Sequence, residues 1–163
     1  MLITNHTIYD ENMINEGAGV LTKRYRIIVS VAAVVFLTLA LIFIIGRGTN
    51  AIFTSAVYMI GFVCVLVTGL IRIKSYKKAL FERIRVVNHT EPLETVSVVD
   101  EEKITTTTDS RTNILYHKDI KRINETSNLY VVIYHGGVFI FLAKSGFENN
   151  DEAEFRNLIG YKG

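Results

Sequence analysis

The chain has 163 residues, 49% of them hydrophobic, and carries 18 Lys and Arg against 16 Asp and Glu, a net charge of +2. From Arg83 to the C-terminus, ten basic residues face twelve acidic ones, so this part has no basic surplus. The basic residues that give the chain its net positive charge flank two apolar stretches and do not line the C-terminal part. This distribution excludes a nucleic-acid-binding protein. The single cysteine, Cys64, excludes an intrachain disulfide.

Residues 1–26 form a polar N-terminal segment that we expect to be cytoplasmic. Leu2-Ile3 and Met13-Ile14 are its apolar pairs. Two alternatives stay open: a free tail, or a strand and a short helix that dock on the C-terminal domain, and we prefer docking. Gly17-Ala18-Gly19 lacks the Gly-Lys-Ser/Thr ending of a phosphate loop and is interpreted as a flexible lead into the membrane.

Two apolar stretches without charged residues follow, at residues 27–45 and 51–71. At about 1.5 Å of rise per residue, each makes a helix of roughly 28–32 Å, which matches a hydrocarbon core of about 30 Å. Because lipid offers a peptide group no hydrogen-bond partner, each stretch must satisfy its own backbone as a helix. The sequence therefore predicts a transmembrane helical hairpin over residues 27–71, with its turn at 46–50.

Basic residues at the edges of this hairpin indicate its orientation. They precede the first stretch and follow the second, whereas the turn contains only Arg47. By the positive-inside rule both termini face the cytoplasm, and we expect an inner (cell) membrane protein. The flanking residues are Lys23, Arg24, Arg26, Arg72, Lys74, Lys77 and Lys78.

Small residues within the two stretches predict how the helices pack. Hydroxyl groups should bond to carbonyls of their own helix, and glycines should let the helices approach closely. The stretches contain no Asp, Glu, Lys, Arg or His, the usual marks of an ion or proton pathway. The small residues are Thr38, Thr54, Ser55, Gly61, Thr68 and Gly69.

Residues 72–92 are predicted to continue the second helix as a stem. Ile73, Tyr76, Leu80 and Ile84 recur at spacings of three to four. Pro92, the only proline, ends the segment and marks a change of architecture.

From residue 93 the apolar period changes to two, which predicts about six short antiparallel strands. Residues 96–99 form an early strand, and 104–108 should pair with 112–116 through a turn at Asp109-Ser110. Residues 129–135 and 138–143 flank Gly136-Gly137, which predicts a two-residue hairpin turn and a central hairpin covered on both faces.

A short C-terminal helix should follow, with Phe155, Leu158 and Ile159 as its apolar stripe. Asn149-Asn150-Asp151 supplies capping oxygens, and Gly160 suits a left-handed stop. The predicted fold class is α+β. It comprises the two-helix hairpin and, over residues 93–163, a small antiparallel β barrel or sandwich closed by a C-terminal helix.

This order of elements resembles the YcxB-like family of small bacterial membrane proteins over nearly the whole chain. The most telling motifs are Tyr116-x-x-Asp119-Ile120-x-x-Ile123 and, before the last helix, Lys144-x-x-Phe147. The resemblance implies a pleckstrin-homology-like soluble domain and no defined activity. The chain departs from the family pattern at His117, where a tryptophan or a small polar residue is expected.

The sequence contains no constellation that indicates catalysis or metal binding. The four histidines, His6, His89, His117 and His135, are scattered, and the cysteine lies in an apolar stretch. His117 and Asp119, two apart on one face of a predicted strand, would handle a proton only beside a nucleophile, so a polar strand edge is preferred. The acidic run 100–102 is interpreted as solvated charge in a turn. We expect no catalytic residue, no cofactor and no metal, and predict that the protein is not an enzyme.

One basic surface invites a functional interpretation. Cations of the stem and of segment 118–122 would form a ledge that holds the soluble domain against anionic lipid headgroups, each contributing about 1 kcal/mol. Topology alone also explains the stem lysines. The candidate residues are Lys74, Lys77, Lys78, Lys118, Lys121 and Arg122.

Two functions are compatible with these features. The first is a membrane-tethered cytoplasmic interaction or scaffold module, whose exposed groove or strand edge recruits a protein or peptide by strand addition. The alternative is an accessory subunit of a larger transport or channel complex, whose hairpin packs on its partner through Gly61 and Gly69. The bilayer and a protein are the expected partners, and homo-oligomerisation stays open.

Overall fold

The computed structural model describes residues 2–45, 50–87, 93–108 and 111–160. The chain forms two compact units: Leu21–Lys78, here called the hairpin unit, and residues 1–20 with 79–163, here called the β unit. The predicted turn residues 46–49 and 109–110 and the boundary at Pro92 lie outside the described residues.

Two long helices contain both predicted apolar stretches: α1, Glu11–Ile45, and α2, Ala51–Val87. Both are long and apolar enough to cross a membrane, and only 11% and 6% of their most apolar windows are buried. The chain therefore does not cover these side chains itself, as it would in the core helices of a soluble protein.

Small residues let the two helices of the hairpin unit pack closely, as predicted. A Cβ at Gly61 would lie 2.7 Å from the Phe36 ring, and one at Gly69 would lie 2.6 Å from a Val29 methyl group. The Thr38 hydroxyl donates to its own helix at the Val34 carbonyl oxygen, at 2.8 Å. Gly61 and Gly69 thus serve packing inside the hairpin.

The N-terminal segment docks, which confirms the preferred alternative. Strand β1, Ile3–Ile8, pairs antiparallel with a strand of the C-terminal domain. The helix after it is not a separate short element, because α1 runs unbroken from Glu11. An Asp10 carboxylate oxygen accepts the Met13 N–H at 2.6 Å and caps this start.

Gly17-Ala18-Gly19 is helical, so the prediction of a flexible lead was wrong. Ala18 is fully buried, and a Cβ at Gly17 would collide with the Phe141 ring. Gly17 is therefore a point of close approach between α1 and the β unit's own core, a constraint that the local sequence does not reveal.

The described residues form seven antiparallel strands in two sheets. The first sheet has the order β1-β2-β3-β4 and the second β5-β6-β7, so the described strands do not close into a barrel. The seventh strand, compared with about six predicted, is β1. The remaining strands are β2 Glu94–Val99, β3 Lys103–Thr108, β4 Arg111–Tyr116, β5 Ile120–Glu125, β6 Leu129–Tyr134 and β7 Phe139–Ala143.

Buried side chains of β1 join the two sheets. Asn5 Nδ2 donates to the Ala143 carbonyl oxygen at 2.7 Å, and the Thr7 hydroxyl donates to Asn5 Oδ1 at 2.7 Å. The Ala143 N–H in turn donates to Thr7 Oγ1 at 2.9 Å. Because both side chains are fully buried, these bonds fix how the first sheet meets β7.

The β6–β7 hairpin is central, as predicted, but its turn is longer. All six residues of β6 are buried. The connection is the three-residue turn His135–Gly137, closed by the Tyr134 N–H donating to the Val138 carbonyl oxygen at 2.8 Å. Gly136 and Gly137 adopt φ values of 82° and 81°, which glycine tolerates.

The C-terminal helix α3, Glu152–Leu158, packs on the second sheet through Phe155. This fully buried ring lies 5.2 Å from Tyr130 and 5.0 Å from Phe147, between ring centroids. Of the predicted capping residues Asn149-Asn150-Asp151, Asp151 occupies the N-cap position. Its side chain makes no capping hydrogen bond, so the prediction was wrong for Asp151. Gly160 has φ 64°, as predicted.

Candidate functional site

The predicted basic ledge is divided between the two compact units. Lys74, Lys77 and Lys78 lie on α2 in the hairpin unit. In the β unit, Lys118 lies in a short 3-10 turn, and a β-bulge between Ile120 and Arg122 places Lys121 and Arg122 at the start of β5. Its role toward lipid stays a prediction.

His117 and Asp119 do not share a strand face, so that prediction was wrong. Both lie in the 3-10 turn His117–Asp119 that connects β4 to β5. Burial lowers the pKa of the His117 imidazole, and the nearby Asp100 carboxylate raises it in part. Asp100 itself accepts the Glu102 and Lys103 N–H groups, each at 2.8 Å, so the start of the acidic run organises the β2–β3 turn.

A charged cluster around Tyr130 attaches α3 to the second sheet. The Tyr130 hydroxyl donates to Glu152 at 2.6 Å, while Lys144 and Arg156 reach Glu125 at 2.6 and 2.7 Å. The Lys144 ammonium group lowers the pKa of Glu125. The two carboxylates of the cluster are matched by two cations, so its role is to stabilise the attachment of α3.

A groove of about 530 Å³ lies between the two sheets of the β unit and is here called the inter-sheet groove. Its walls come from the inner face of the first sheet, the β6–β7 turn with β7, and the end of α2. The residues used below are Arg83, Thr95, Thr106, Thr108, Arg111, Asn113, Val138, Phe139 and Phe141.

One wall of the groove is polar although it faces inward. Residues that pair across neighbouring strands have their side chains on the same face of the sheet. The register therefore shows which side chains lie side by side in one row across that face. Val99 pairs with Ile104 in an apolar row, but the next inward row pairs Ser97 with Thr106. Thr106 pairs in turn with Asn113 on β4.

Two hydroxyls in this polar row have no protein hydrogen-bond partner in the described part of the chain. They are Ser97 Oγ and Thr106 Oγ1, on residues 0% and 7% exposed. Buried hydroxyls are nearly always hydrogen-bonded, because leaving one unpaired costs about 1–3 kcal/mol. Of these two residues only Thr106 lines the groove, so its hydroxyl is the one that a bound group would stabilise.

The groove is positively charged. Arg83 on α2 and Arg111 on β4 both line it, and its described lining residues include no Asp or Glu. Tyr9 stands at the same groove, where burial raises the pKa of its hydroxyl. An anionic group is the natural complement of two arginines in a groove whose described lining contains no carboxylate.

Strand β4 is an open edge of the first sheet. It ends the strand order, five of its six residues are exposed, and Ile114 is 51% exposed. The His117 N–H donates to the Glu102 carbonyl oxygen at 2.8 Å, which sets the alternation of paired and free groups. By that alternation the N–H and C=O of Thr112, Ile114 and Tyr116 point away from β3.

Sequence reasoning missed the inter-sheet groove. The run 105–108 was interpreted only as strand residues, and Ser97 only as part of the strand 96–99. The available signal is that Ser97 and Thr106 occupy inward positions of strands whose next inward residues, Val99 and Ile104, are core residues. Recognising this signal requires knowledge of how the strands pair, and strand pairing brings together residues that are far apart in the sequence.

The fold defines a small α+β protein that carries two helices able to span a membrane. Residues 99–159 match the family model described as YcxB-like protein, which confirms the resemblance over that segment. The match runs from the last residue of β2 to the residue after α3 and excludes both long helices. No curated protein matches the chain.

Proposed function

We propose that this protein is a membrane-anchored interaction module that captures an extended segment of a partner protein by adding a strand to β4. The observation that carries the proposal is the open edge of β4, six residues long and exposed beside the inter-sheet groove. Strand edges of this kind are templates for another chain unless proline, lysine or a cover blocks them.

The backbone supplies only modest affinity for such a partner. Thr112, Ile114 and Tyr116 offer outward N–H and C=O groups, and each new hydrogen bond contributes about 0.5–1.5 kcal/mol net. Ile114 and Tyr116 are 51% and 45% exposed, and burying them would add apolar stabilisation. Anchoring in a membrane raises the local concentration of partners held on the same surface, which compensates for weak contacts.

We place this module on the cytoplasmic side of the inner membrane. The support is the basic flanks of the two apolar stretches, including Lys74, Lys77 and Lys78. Lys118, Lys121 and Arg122 would then orient the β unit toward anionic headgroups.

The accessory-subunit alternative has less support. Gly61 and Gly69, which would contact the larger membrane partner, approach Phe36 and Val29 of the same hairpin. They are therefore occupied within the chain, whereas the β4 edge is not covered by any described strand.

Replacing Ile114 with proline tests strand addition directly. The outward N–H of Ile114 is not needed for pairing with β3, and proline is tolerated on an edge strand at such positions. Ile114→Pro should leave the sheet folded and lower recovery of crosslinked partners from native membranes by about tenfold, the equivalent of about 1.4 kcal/mol. Quantitative mass spectrometry of the full-length protein is the readout.

Ile114→Val is the matched control, because it keeps both the N–H and an apolar side chain. It should retain the partner profile of the wild type. A partner profile unchanged by Ile114→Pro, with the circular dichroism spectrum also unchanged, would contradict strand addition at β4.

A further inference from the structure

The inter-sheet groove has binding features that strand addition to β4 does not use. Thr106 lines it, is 7% exposed, and its hydroxyl has no protein partner among the described residues. Directly opposite in register is Ser97, whose buried hydroxyl is also unpartnered there. Of the two hydroxyls only that of Thr106 lines the groove, and an oxygen of a ligand would satisfy it.

The charge in the groove selects the sign of that ligand. Arg83 and Arg111 approach it from different elements, α2 and β4. Neither forms an ion pair with another described residue. Two guanidinium groups in this setting favour a carboxylate or a phosphate, which accept paired N–H donors.

The opposite wall of the groove is apolar. Phe139 and Phe141 line it with ring centroids 5.2 Å apart, and Val138 at the β6–β7 turn is 47% exposed. A cavity of about 530 Å³ lies within the size range of about 300–1,000 Å³ of small-molecule sites. An entirely hydrophilic anion would leave this wall uncovered.

We propose that the inter-sheet groove binds an anionic amphiphile, with its carboxylate or phosphate group at Arg83 and Arg111. The Thr106 hydroxyl donates a hydrogen bond to the ligand, and the hydrocarbon chain lies along Val138, Phe139 and Phe141. The site uses the Arg111 side chain of β4 and not the free backbone groups of that strand, so it does not depend on strand addition. The same chain has two helices long and apolar enough to cross a membrane, and a membrane is where such molecules are abundant.

Binding of octyl phosphate to the full-length protein tests this proposal. The protein is held in phosphatidylcholine nanodiscs and titrated by calorimetry, with empty nanodiscs as the blank. We expect saturable binding of octyl phosphate. Octyl glucoside, which lacks the charge, and inorganic phosphate, which lacks the chain, should each bind at least about tenfold more weakly, the equivalent of about 1.4 kcal/mol.

Three variants locate the site. Arg83→Gln and Arg111→Gln should each weaken octyl phosphate binding by about tenfold, since each removes a charge-assisted hydrogen bond. Thr106→Val, which keeps the shape of the side chain, should weaken binding without unfolding the sheet. Arg85→Gln is the matched control, because Arg85 lies on the same helix and does not line the groove.

Each departure from this pattern overturns the proposal. Equal binding of inorganic phosphate would show a site for a free anion, and equal binding of octyl glucoside would show a site for an uncharged chain. Octyl phosphate binding unchanged in Arg83→Gln and Arg111→Gln would place the molecule elsewhere, including the nanodisc lipid. If Arg111→Gln does not fold, Arg111→Lys must retain more affinity than Thr106→Val.

Discussion

Gly17 and Gly19 lie two residues apart on α1 but have opposite surroundings. A Cβ at Gly17 would collide with the Phe141 ring, whereas one at Gly19 would meet no heavy atom within 4 Å. Phe141 is 1% exposed, so a Cβ at Gly17 would displace a ring of the core. The same substitution therefore has opposite consequences at the two positions.

Alanine at each position measures this difference. Gly17→Ala should lower the free energy of unfolding by about 1–3 kcal/mol, because it overpacks the core. Gly19→Ala should raise it by about 0.5–1 kcal/mol, because alanine loses less entropy in a helix. Thermal unfolding of the full-length protein in detergent, followed by circular dichroism, shows whether each variant is less or more stable than the wild type. Destabilisation by both variants to the same extent would contradict the packing of α1 on Phe141.

His6 makes the docking of β1 sensitive to pH. Its ring nitrogens lie 3.0 Å from Glu94 and 3.1 Å from Glu148. The hydrogen bond to Glu94, more than any other contact, raises the pKa of His6 above its ordinary value of 6.5. The stabilisation is therefore fully present below pH 6.5 and is lost as pH rises through the raised pKa.

The unfolding temperature at about pH 6 and about pH 8.5 tests this linkage. When the pH is raised from about 6 to about 8.5, the unfolding temperature of the wild type should fall further than that of His6→Gln. The fall for Glu94→Gln should be intermediate between these two. The effect is small, because the His6 side chain is 42% exposed and solvent screens the pair. An equal loss in wild type and His6→Gln would refute it.

Residue-level predictions succeeded where the determining contacts are local. Gly136, Gly137 and Gly160 were assigned to turns or a stop, and all three have positive φ, which depends on the residue itself. Gly17 was misinterpreted because its contact, Phe141, is more than a hundred positions away. Asp151 was expected to cap α3, but its side chain makes no such bond.

Among the helices and strands, α3 is held on the β unit by one buried side chain more than by its charged side chains. Phe155 is fully buried between Tyr130 and Phe147, whereas Glu154 on the same helix is exposed. Phe155→Ala should lower the free energy of unfolding by about 3–5 kcal/mol, because it leaves a cavity in the core. Glu154→Ala should change it by less than about 0.5 kcal/mol.

Denaturant unfolding of the two variants, compared with the wild type, supplies the measurement. If the loss in Phe155→Ala is no larger than in Glu154→Ala, α3 does not close the core. In that case the charged cluster around Tyr130 would be its main attachment.

The apolar periodicity of the sequence predicted the helices and strands. It predicted only some of the strand pairings. The pairing of β3 with β4 and of β6 with β7 was predicted, because each pair is joined by a short turn. Docking of the N-terminal strand was the preferred alternative, but its partner β2 was not predicted, because the two strands are separated by both long helices. The groove depends on the same distant pairings, so its polar row could not be assembled from sequence.

At the scale of the whole molecule, the chain joins two units that cover their apolar side chains to different extents. The hairpin unit leaves apolar side chains uncovered over most of its helical windows, and the β unit buries its own core. The sequence predicted this division from the two uncharged stretches. It also predicted that α2 continues past its apolar stretch as the stem. It did not predict that α1 begins at Glu11 and runs unbroken into the first apolar stretch, because the segment before that stretch is not uniformly apolar.

The membrane hairpin is the central claim, because tethering of the β unit depends on it. The native Cys64 tests it most directly, since it is exposed on α2 within the second apolar stretch. In native membrane vesicles, Cys64 should resist a membrane-impermeant maleimide until detergent dissolves the bilayer. In a Cys64→Ala background, Lys118→Cys should react only when the cytoplasmic face is accessible. Labelling of Cys64 in intact membranes, or recovery of the protein in the soluble fraction, would contradict the membrane hairpin.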